Sequence, residues 1–403
     1  MDVTVSTTPL ADCARLSFAE HLDTLGELPR LGQGELIEAV ASAGLTGRGG
    51  AGFPVSRKLA AVADGSRPVV VANAAEGEPA SRKDRYLLSH SPHLVLDGVQ
   101  VAAATVGARR AYVYGPRDLL EDCVLPAMAE RKDRVKVIPF VAEDAFLSGE
   151  ESALVSAING NLALPTTTPP RVFTQGVRGR PTLVQNVETL ANLALIARFG
   201  PAWFRERGTA DEPGSRLVTV SGGVARPGVL EVEGGARIES IIDDAGDLIG
   251  AASAVLVGGF HGGWVPWADV HAGLRLTRSD LRPYDASPGA GVLVVLPKSG
   301  CGLRYSARVL EFLAGQNAGQ CGPCVNGLPA LADTMTRLAR GRASTQMESD
   351  VEWLCRITET RGACHHPTGT VRLARSTMRT FKDEVRRHRE GLCTERPRTG
   401  GGR

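Results

Sequence analysis

The chain has 403 residues, 43% of them hydrophobic and 22% charged, with a formal net charge of +2. That length exceeds one ordinary core and implies two or three domains, and the near-neutral balance excludes the basic footprint of a nucleic-acid binder. Apolar runs such as 291–297 fall far short of the roughly 20 residues a spanning helix needs, which excludes an integral membrane protein of the helical kind.

The start, Met1-Asp2-Val3, offers neither a basic n-region nor an apolar h-region, so no export signal is expected and the chain reads as cytoplasmic. Residues 1–34 form a lead segment. A helix is expected over 34–43, then a glycine-rich loop from Gly44 to Pro54, a buried strand over 67–73 and a helix over 92–106 with Leu94, Val99 and Val101 on its apolar face. Further strands are expected at 111–114 and 135–140. Strands alternating with helices imply a mostly parallel sheet covered on both faces. A Gly/Pro/charge-rich stretch, 207–216, marks a boundary. Beyond it, 217–221, 229–232 and 254–257 read as strands of a small sheet with one helix over 238–244. From 304 onward helical periodicity takes over, with helices expected at 305–316, 327–340, 347–359 and 367–389, a four-helix bundle. The basic end, 393–403, reads as a solvated tail.

Five glycines (44, 47, 49, 50 and 52) surround Arg48 just ahead of an expected helix. Bare backbone N–H groups beside a helix N-terminus suit a phosphate, and Arg48 and Lys58 add positive charge. Asn73 ends a strand, and Glu76 and Glu78 follow where a strand's C-terminal end meets a ligand; such carboxylates bind a ribose or carboxamide. Gly149-Glu150-Glu151-Ser152 opens a helix, where acids are also ordinary capping chemistry. Gln185, Asn186 and Thr189 place amides and a hydroxyl where they read a ring edge or cap a helix. Eight cysteines (13, 123, 301, 321, 324, 355, 364 and 393) do not form a disulfide framework in such a chain; four of them crowd into 321–364, which points to a metal or cluster.

Taken together, GLTGRGGAGFP, NAAEGEPASRKDR, GEESAL with the downstream NVETL, and a cysteine-bearing helical end resemble, in order and wording, the NADH-oxidising flavoprotein (51-kDa-type) subunit of respiratory complex I and its relatives in NAD-linked hydrogenases and formate dehydrogenases. The resemblance covers about residues 35 to 390. It implies a multi-domain α/β plus α fold: a Rossmann-like FMN- and NADH-binding α/β domain (35–206), a soluble-ligand-binding (SLBB-type) β-grasp domain (215–298) and a helical iron–sulfur bundle (304–392). It assigns FMN to Gly47, Arg48, Gly49, Gly50, Gly52, Lys58, Asn73, Glu76, Gly149, Glu150, Glu151, Asn186 and Thr189. Glu78 and Gln185 join these from their own chemistry, and Phe53 is the retained half of an adenine clamp. The implied activity is hydride transfer from NADH or NADPH to FMN, with single electrons passing on through an iron–sulfur cluster. No side chain is needed as acid or base.

The sequence departs from the family at several points. Ala75 replaces an aspartate, Phe146 a tyrosine, Ala61 the second clamp phenylalanine, and Thr168-Pro169-Pro170-Arg171 a Lys-Pro-Pro-Phe, with Phe173 nearby. The family's Cys-x-x-Cys-x-x-Cys begins with Ala318 here, leaving Cys321, Cys324 and Cys364. Cys355, or more remotely Cys301, then substitutes; or a three-cysteine [3Fe–4S] cluster replaces [4Fe–4S]; or the cluster is lost. The spacing also suits zinc. The implied acceptor is a separate ferredoxin-like or [2Fe–2S] subunit, or a membrane redox partner. The competing reading is a docking scaffold that has lost nucleotide or cluster binding.

Overall fold

The computed structural model describes Leu10 and residues 15–341 and 344–395. Cys13 and residues 396–403 of the expected tail lie outside the described residues.

A four-stranded sheet in the order β3-β2-β1-β4 organises the first domain, built from β1 (Val69–Asn73), β2 (Arg110–Gly115), β3 (Lys136–Val141) and β4 (Thr182–Asn186). Every pair is parallel, and the register sets Asn73 beside Asn186. Side chains alternate between two cores. Val70 and Ala72 join Leu94, Val99, Leu190 and Leu193 of helices Pro92–Val106 and Val187–Arg205. Val69 and Val71 face Leu154 and Val155 of helix Glu151–Ile158. A sheet buried on both faces needs apolar residues at successive positions, which is why VVVA reads as a continuous run. The connection β1–β2–β3 runs to one side, and β4 returns to the other. The crevice at such a reversal, outside the carboxyl ends, is where open α/β sheets bind ligands.

The described part of the lead segment packs on this domain through Leu10, Leu25, Leu28 and Leu31. Ser17 and Glu20 form a capping box on helix Phe18–Leu25, and His21 meets the buried Asp97 at 2.6 Å. Arg131 and Arg198 also meet Asp97, each at 2.6 Å.

The second domain is a five-stranded mixed sheet in the order β6-β5-β9-β7-β8: β5 (Ser215–Gly222), β6 (Gly228–Glu233), β7 (Ala252–Val257), β8 (Gly263–Pro266) and β9 (Val292–Pro297). Only β5 and β9 pair in parallel. Helix Ile238–Asp244 covers one face through Ile238, Ile241 and Ile242, with Val218, Val255 and Val295 beneath it. The other face, carrying Ala254, Leu256, Trp264 and Val294, forms one core with the bundle.

Among the described residues the bundle has five α-helices where four are expected. Gly302–Gly315, Leu328–Ala339 and Thr345–Thr358 match the expectation, but the last expected helix divides into His366–Thr380 and Lys382–Arg389. Phe381 breaks it (φ −107°, ψ 34°), because its ring turns inward edge-on to Trp264 at 5.2 Å and fills the space beside Gly302. Among the described residues, no helix is long and apolar enough to cross a membrane.

Candidate functional site

The glycine loop is closed at its neck. Thr46 bridges Pro54, Gly47 N–H donates to the Phe53 carbonyl at 2.9 Å, and Val55 N–H donates to the Leu45 carbonyl at 3.1 Å. Gly50 (φ 111°) and Gly52 (φ 59°) occupy backbone conformations that favour glycine. The loop delivers the chain to helix Val55–Ala63, whose first turn has no side-chain cap and no acid. Its N-terminal donors are thus not neutralised by a cap or an acid of that turn, which favours an anion there. One turn in, Lys58 forms an ion pair with Glu151. Phe53 is 51% exposed at the loop's edge, free to offer a ring face.

The floor is backbone. Asn73 Nδ2 donates to the Gly149 carbonyl at 2.8 Å, and Asn73 Oδ1 accepts from Ala75 N–H at 3.1 Å. A Cβ on Gly77 would overlap the Phe146 carbonyl, and one on Gly149 the Ala75 carbonyl, so the segments after β1 and before helix Glu151–Ile158 touch main chain to main chain. At the end of β4, Asn186 Oδ1 caps the following helix through Glu188 N–H (3.0 Å), while Asn186 Nδ2 donates to Asp84 at 2.6 Å. Thr189 Oγ1 accepts from the Arg48 N–H at 2.9 Å, pinning the glycine loop to that helix.

Beneath these groups lies a buried charge network absent from the expected site. Lys83, 2% exposed, meets Asp84 at 2.6 Å, Glu188 at 3.0 Å and Asn186 Oδ1 at 3.1 Å. Burial alone would lower its ammonium, but Asp84, Glu188 and Glu76 hold it above its ordinary value. Glu188 also accepts Leu217 N–H at 2.9 Å from the second domain. The signal is present in the adjacent Lys83-Asp84 and in Glu188 of NVETL. Charged residues in turns and first helical turns read as solvated, and only the fold shows these buried. Arg278 is a second unforeseen member: from the second domain it donates to the Ala51 carbonyl at 3.0 Å and fills the space beside Gly52.

Four of the expected ligand side chains also have protein partners in this structure. The Arg48 guanidinium points into the domain seam, donating to the carbonyls of Ser215 (3.1 Å) and Pro213 (3.4 Å). Glu150 is a helix N-cap, accepting from Ser152 and Ala153 N–H at 2.9 Å each. Glu76 holds the following turn through the Ser81 hydroxyl (2.5 Å) and Asp84 N–H (3.2 Å). Glu78 accepts Phe260 N–H at 2.7 Å, and burial pushes its carboxyl up to about 7 despite that bond and the Ala80 N–H. Gln185 is buried within β4. Phe173 packs against the first domain's core while Arg171 is exposed.

The cysteine loops adjoin this rim. Phe146 N–H donates to Gln316 Oε1 at 3.0 Å, just before Ala318. The Phe146 ring lies edge-on to His261 of the second domain at 4.9 Å and 5.5 Å from His366 of the bundle, and His261 and His366 are themselves 3.0 Å apart. Cys321 and Cys324 sulfurs lie 3.5 Å apart. Burial raises the Cys321 thiol, but the N–H groups of Cys324 and Ala363 hold it below its ordinary value; burial and the neighbouring Cys321 push Cys324 up to about 11. Burial raises Cys364, and Glu150 and Cys321 add to it, so the rim and the thiols share one electrostatic neighbourhood. Cys355 does not join them. It is fully buried in the bundle core, where burial pushes its thiol up to about 12 and its charged neighbours are Arg375, Glu352 and Glu359.

Comparison with known proteins agrees with this layout. Residues 40–195 match the family described as Nuo51 FMN-binding domain, 217–265 the SLBB domain, and 304–388 the NADH-ubiquinone oxidoreductase-F iron-sulfur binding region. The NADH-quinone oxidoreductase F 2 subunit of Rhizobium meliloti (strain 1021) is 30% identical over 376 residues, covering 88% of this chain and 89% of the relative. The chain belongs to the NADH-quinone oxidoreductase F-subunit family. The corresponding F-subunit of Aquifex aeolicus (strain VF5) is 29% identical over 377 residues, covering 88% of this chain and 86% of that one. The solved NAD+-reducing [NiFe]-hydrogenase in the H2-reduced state superposes with a TM-score of 0.82 at 30% identity, over 88% of this chain; the match spans 63% of the hydrogenase chain.

The residues present fit the family's flavin. A neck-closed glycine cradle, an uncapped helix N-terminus, Lys58 and the amide-bearing ends of β1 and β4 converge on the crevice at the sheet's reversal. Cys321, Cys324 and Cys364 lie within the span 304–388 that matches the family's iron–sulfur binding region.

Proposed function

We propose that this member of the family is an NADH-oxidising electron-transfer subunit that holds FMN on the first domain's rim and an iron–sulfur cluster on the bundle's cysteine loops. The observation that supports it best is the cradle: the glycine loop, pinned to Thr189 and packed against Asn186 at the end of β4, delivers a helix N-terminus that has no capping side chain or acid, with Lys58 one turn in and paired with Glu151. FMN, when bound, accepts two electrons as hydride and releases them singly. The chain's own residues supply placement. The glycine N–H groups and Lys58 bind the phosphate, Gly77 and Gly149 bring the backbone floor close, and Phe53 offers a face to the nucleotide's adenine. With Ala61 and Arg171 in place of two clamp positions, nucleotide affinity is expected to be weaker than flavin affinity.

A family that works within multi-subunit assemblies implies partner proteins. We assign the acceptor to a separate ferredoxin-like or [2Fe–2S] protein docking near Cys321 and Cys364, both half-exposed.

Anaerobically purified protein is expected to be yellow, to bleach on addition of NADH, and to contain iron and acid-labile sulfide. A protein that stays colourless after FMN reconstitution overturns the assignment. Flavin that does not bleach with either NADH or NADPH leaves a docking scaffold.

A further inference from the structure

Cys301, His388 and Cys393 take no part in the flavin rim or the Cys321/Cys324/Cys364 loops, yet they meet. Their ligand atoms all lie within 4.8 Å of one another. Cys301 is 3% exposed at the start of helix Gly302–Gly315, His388 is 1% exposed near the end of helix Lys382–Arg389, and Cys393 is half-buried beyond it. The chain folds back to bring Cys393 home. Gly391 (φ 72°) donates to the His388 carbonyl, and Leu392 N–H donates to the Arg387 carbonyl at 2.9 Å, closing the helix and reversing direction.

The contact is shaped for a metal. Cys301 Sγ and His388 Nε2 are 3.5 Å apart. A tetrahedral zinc with Zn–S of about 2.3 Å and Zn–N of about 2.05 Å requires an S···N edge of about 3.6 Å. His388 Nδ1 faces the Leu338 carbonyl at 3.2 Å and donates to it, which leaves the Nε2 lone pair aimed at the sulfur. A backbone acceptor on the far nitrogen is the usual support of a ligating histidine. The nearest candidate for a fourth donor is Glu384, one turn before His388 on the same helix: its Oε2 is 3.2 Å from Cys301 Sγ and accepts Leu303 N–H at 3.3 Å, and it has to turn toward the other two ligands on binding, since it is not within 4.8 Å of all three atoms.

We infer that Cys301, His388 and Cys393, completed by the Glu384 carboxylate, form a closed structural site for a divalent cation of the zinc class, distinct from the iron–sulfur loops. Two thiolates, one imidazole and one carboxylate are the donor set of a soft, tetrahedral ion. Binding releases the two thiol protons to solvent, with no change in oxidation state. The site joins the start of the bundle to its last helix, 87 residues later, and fastens the chain's C-terminal turn.

The test is elemental analysis with zinc-edge X-ray absorption on the full-length protein, purified anaerobically with flavin and iron in place. About one zinc per chain in a two-sulfur, nitrogen/oxygen shell is expected. Cys393→Ser and His388→Ala should lose the zinc and keep flavin and iron, whereas Cys321→Ser should lose iron and keep the zinc. Should those variants not fold, the wild-type protein decides. A zinc chelator is expected to lower its melting temperature, and re-addition of zinc alone to restore it. Absence of zinc, zinc that departs with Cys321, iron in its place, or a Cys301–Cys393 disulfide in alkylation mass spectra would each overturn the inference.

Discussion

The flavin rim and the cysteine loops stand side by side but are built by opposite means. On the rim, position is set before any ligand arrives: Asn73, Asn186 and Thr189 are each held by hydrogen bonds, and Gly77 and Gly149 allow only one approach of the backbone. On the loops, the Cys321 and Cys324 sulfurs lie 3.5 Å apart with Cys364 only as an electrostatic neighbour, and Cys321 is held by the backbone N–H groups of Cys324 and Ala363. A rim of this kind survives loss of its ligand, whereas thiol loops draw much of their order from the metal they hold.

Breaking the rim's foundation should have the largest effect. Lys83→Met leaves Asp84 buried without its cation and Glu188 with only Arg48, at 4.0 Å, and a loss of about 3–5 kcal/mol is expected in denaturant unfolding, with flavin lost too. An unchanged midpoint would show that the network is not what supports the rim. Gly149→Ala forces a Cβ against the Ala75 carbonyl and should cost about 1–3 kcal/mol. Flavin-to-protein ratio should fall while iron content stays, which separates the two centres.

A smaller effect comes from Glu78. Its folded pKa of about 7 lies above the ordinary glutamate value of 4.5, so between these values the folded state binds more protons than the unfolded state. Stability from this group is therefore greatest below about pH 4.5 and declines as pH rises toward 7, by about 1–2 kcal/mol once partial hydration is allowed for. Glu78→Gln should flatten that slope in melts at a series of pH values. Ala318→Cys should have the smallest effect on the fold. It restores a fourth thiol, so iron should persist longer in air by several-fold, with flavin content and melting temperature unchanged; equal iron loss would show that the fourth position is not at 318.

Much of the first domain is legible in the sequence because local signals agree with the fold. The apolar run ending at Asn73 and the helix Pro92–Val106, with proline first and glycine after it, declare themselves. β4 does not, because its amides at Gln185 and Asn186 read as ligand chemistry and hide a strand buried on both faces. β8 has only four residues between glycines, and β9 reads only as an apolar run too short for a membrane. The helix break at Phe381 is a tertiary effect, set by Trp264 and by the space at Gly302, which lie far away in sequence. For the site, glycines and asparagines are readable as cradle residues. For Arg48, Glu76, Glu78 and Glu150 the protein partners are not readable, since a charged side chain near a ligand loop looks the same in sequence whether or not it also bonds the seam or the next turn.

Phe146, His261 and His366 come one from each domain, and His261 fills the space beside Gly369. Electron tunnelling decays exponentially with distance, so two redox centres held on separate domains are only as well coupled as the spacer between them is constant. The three rings interlock the domains directly instead of through a linker, so swapping one for a smaller side chain is expected to loosen how the domains are held and, with it, any electron transfer between centres carried on them.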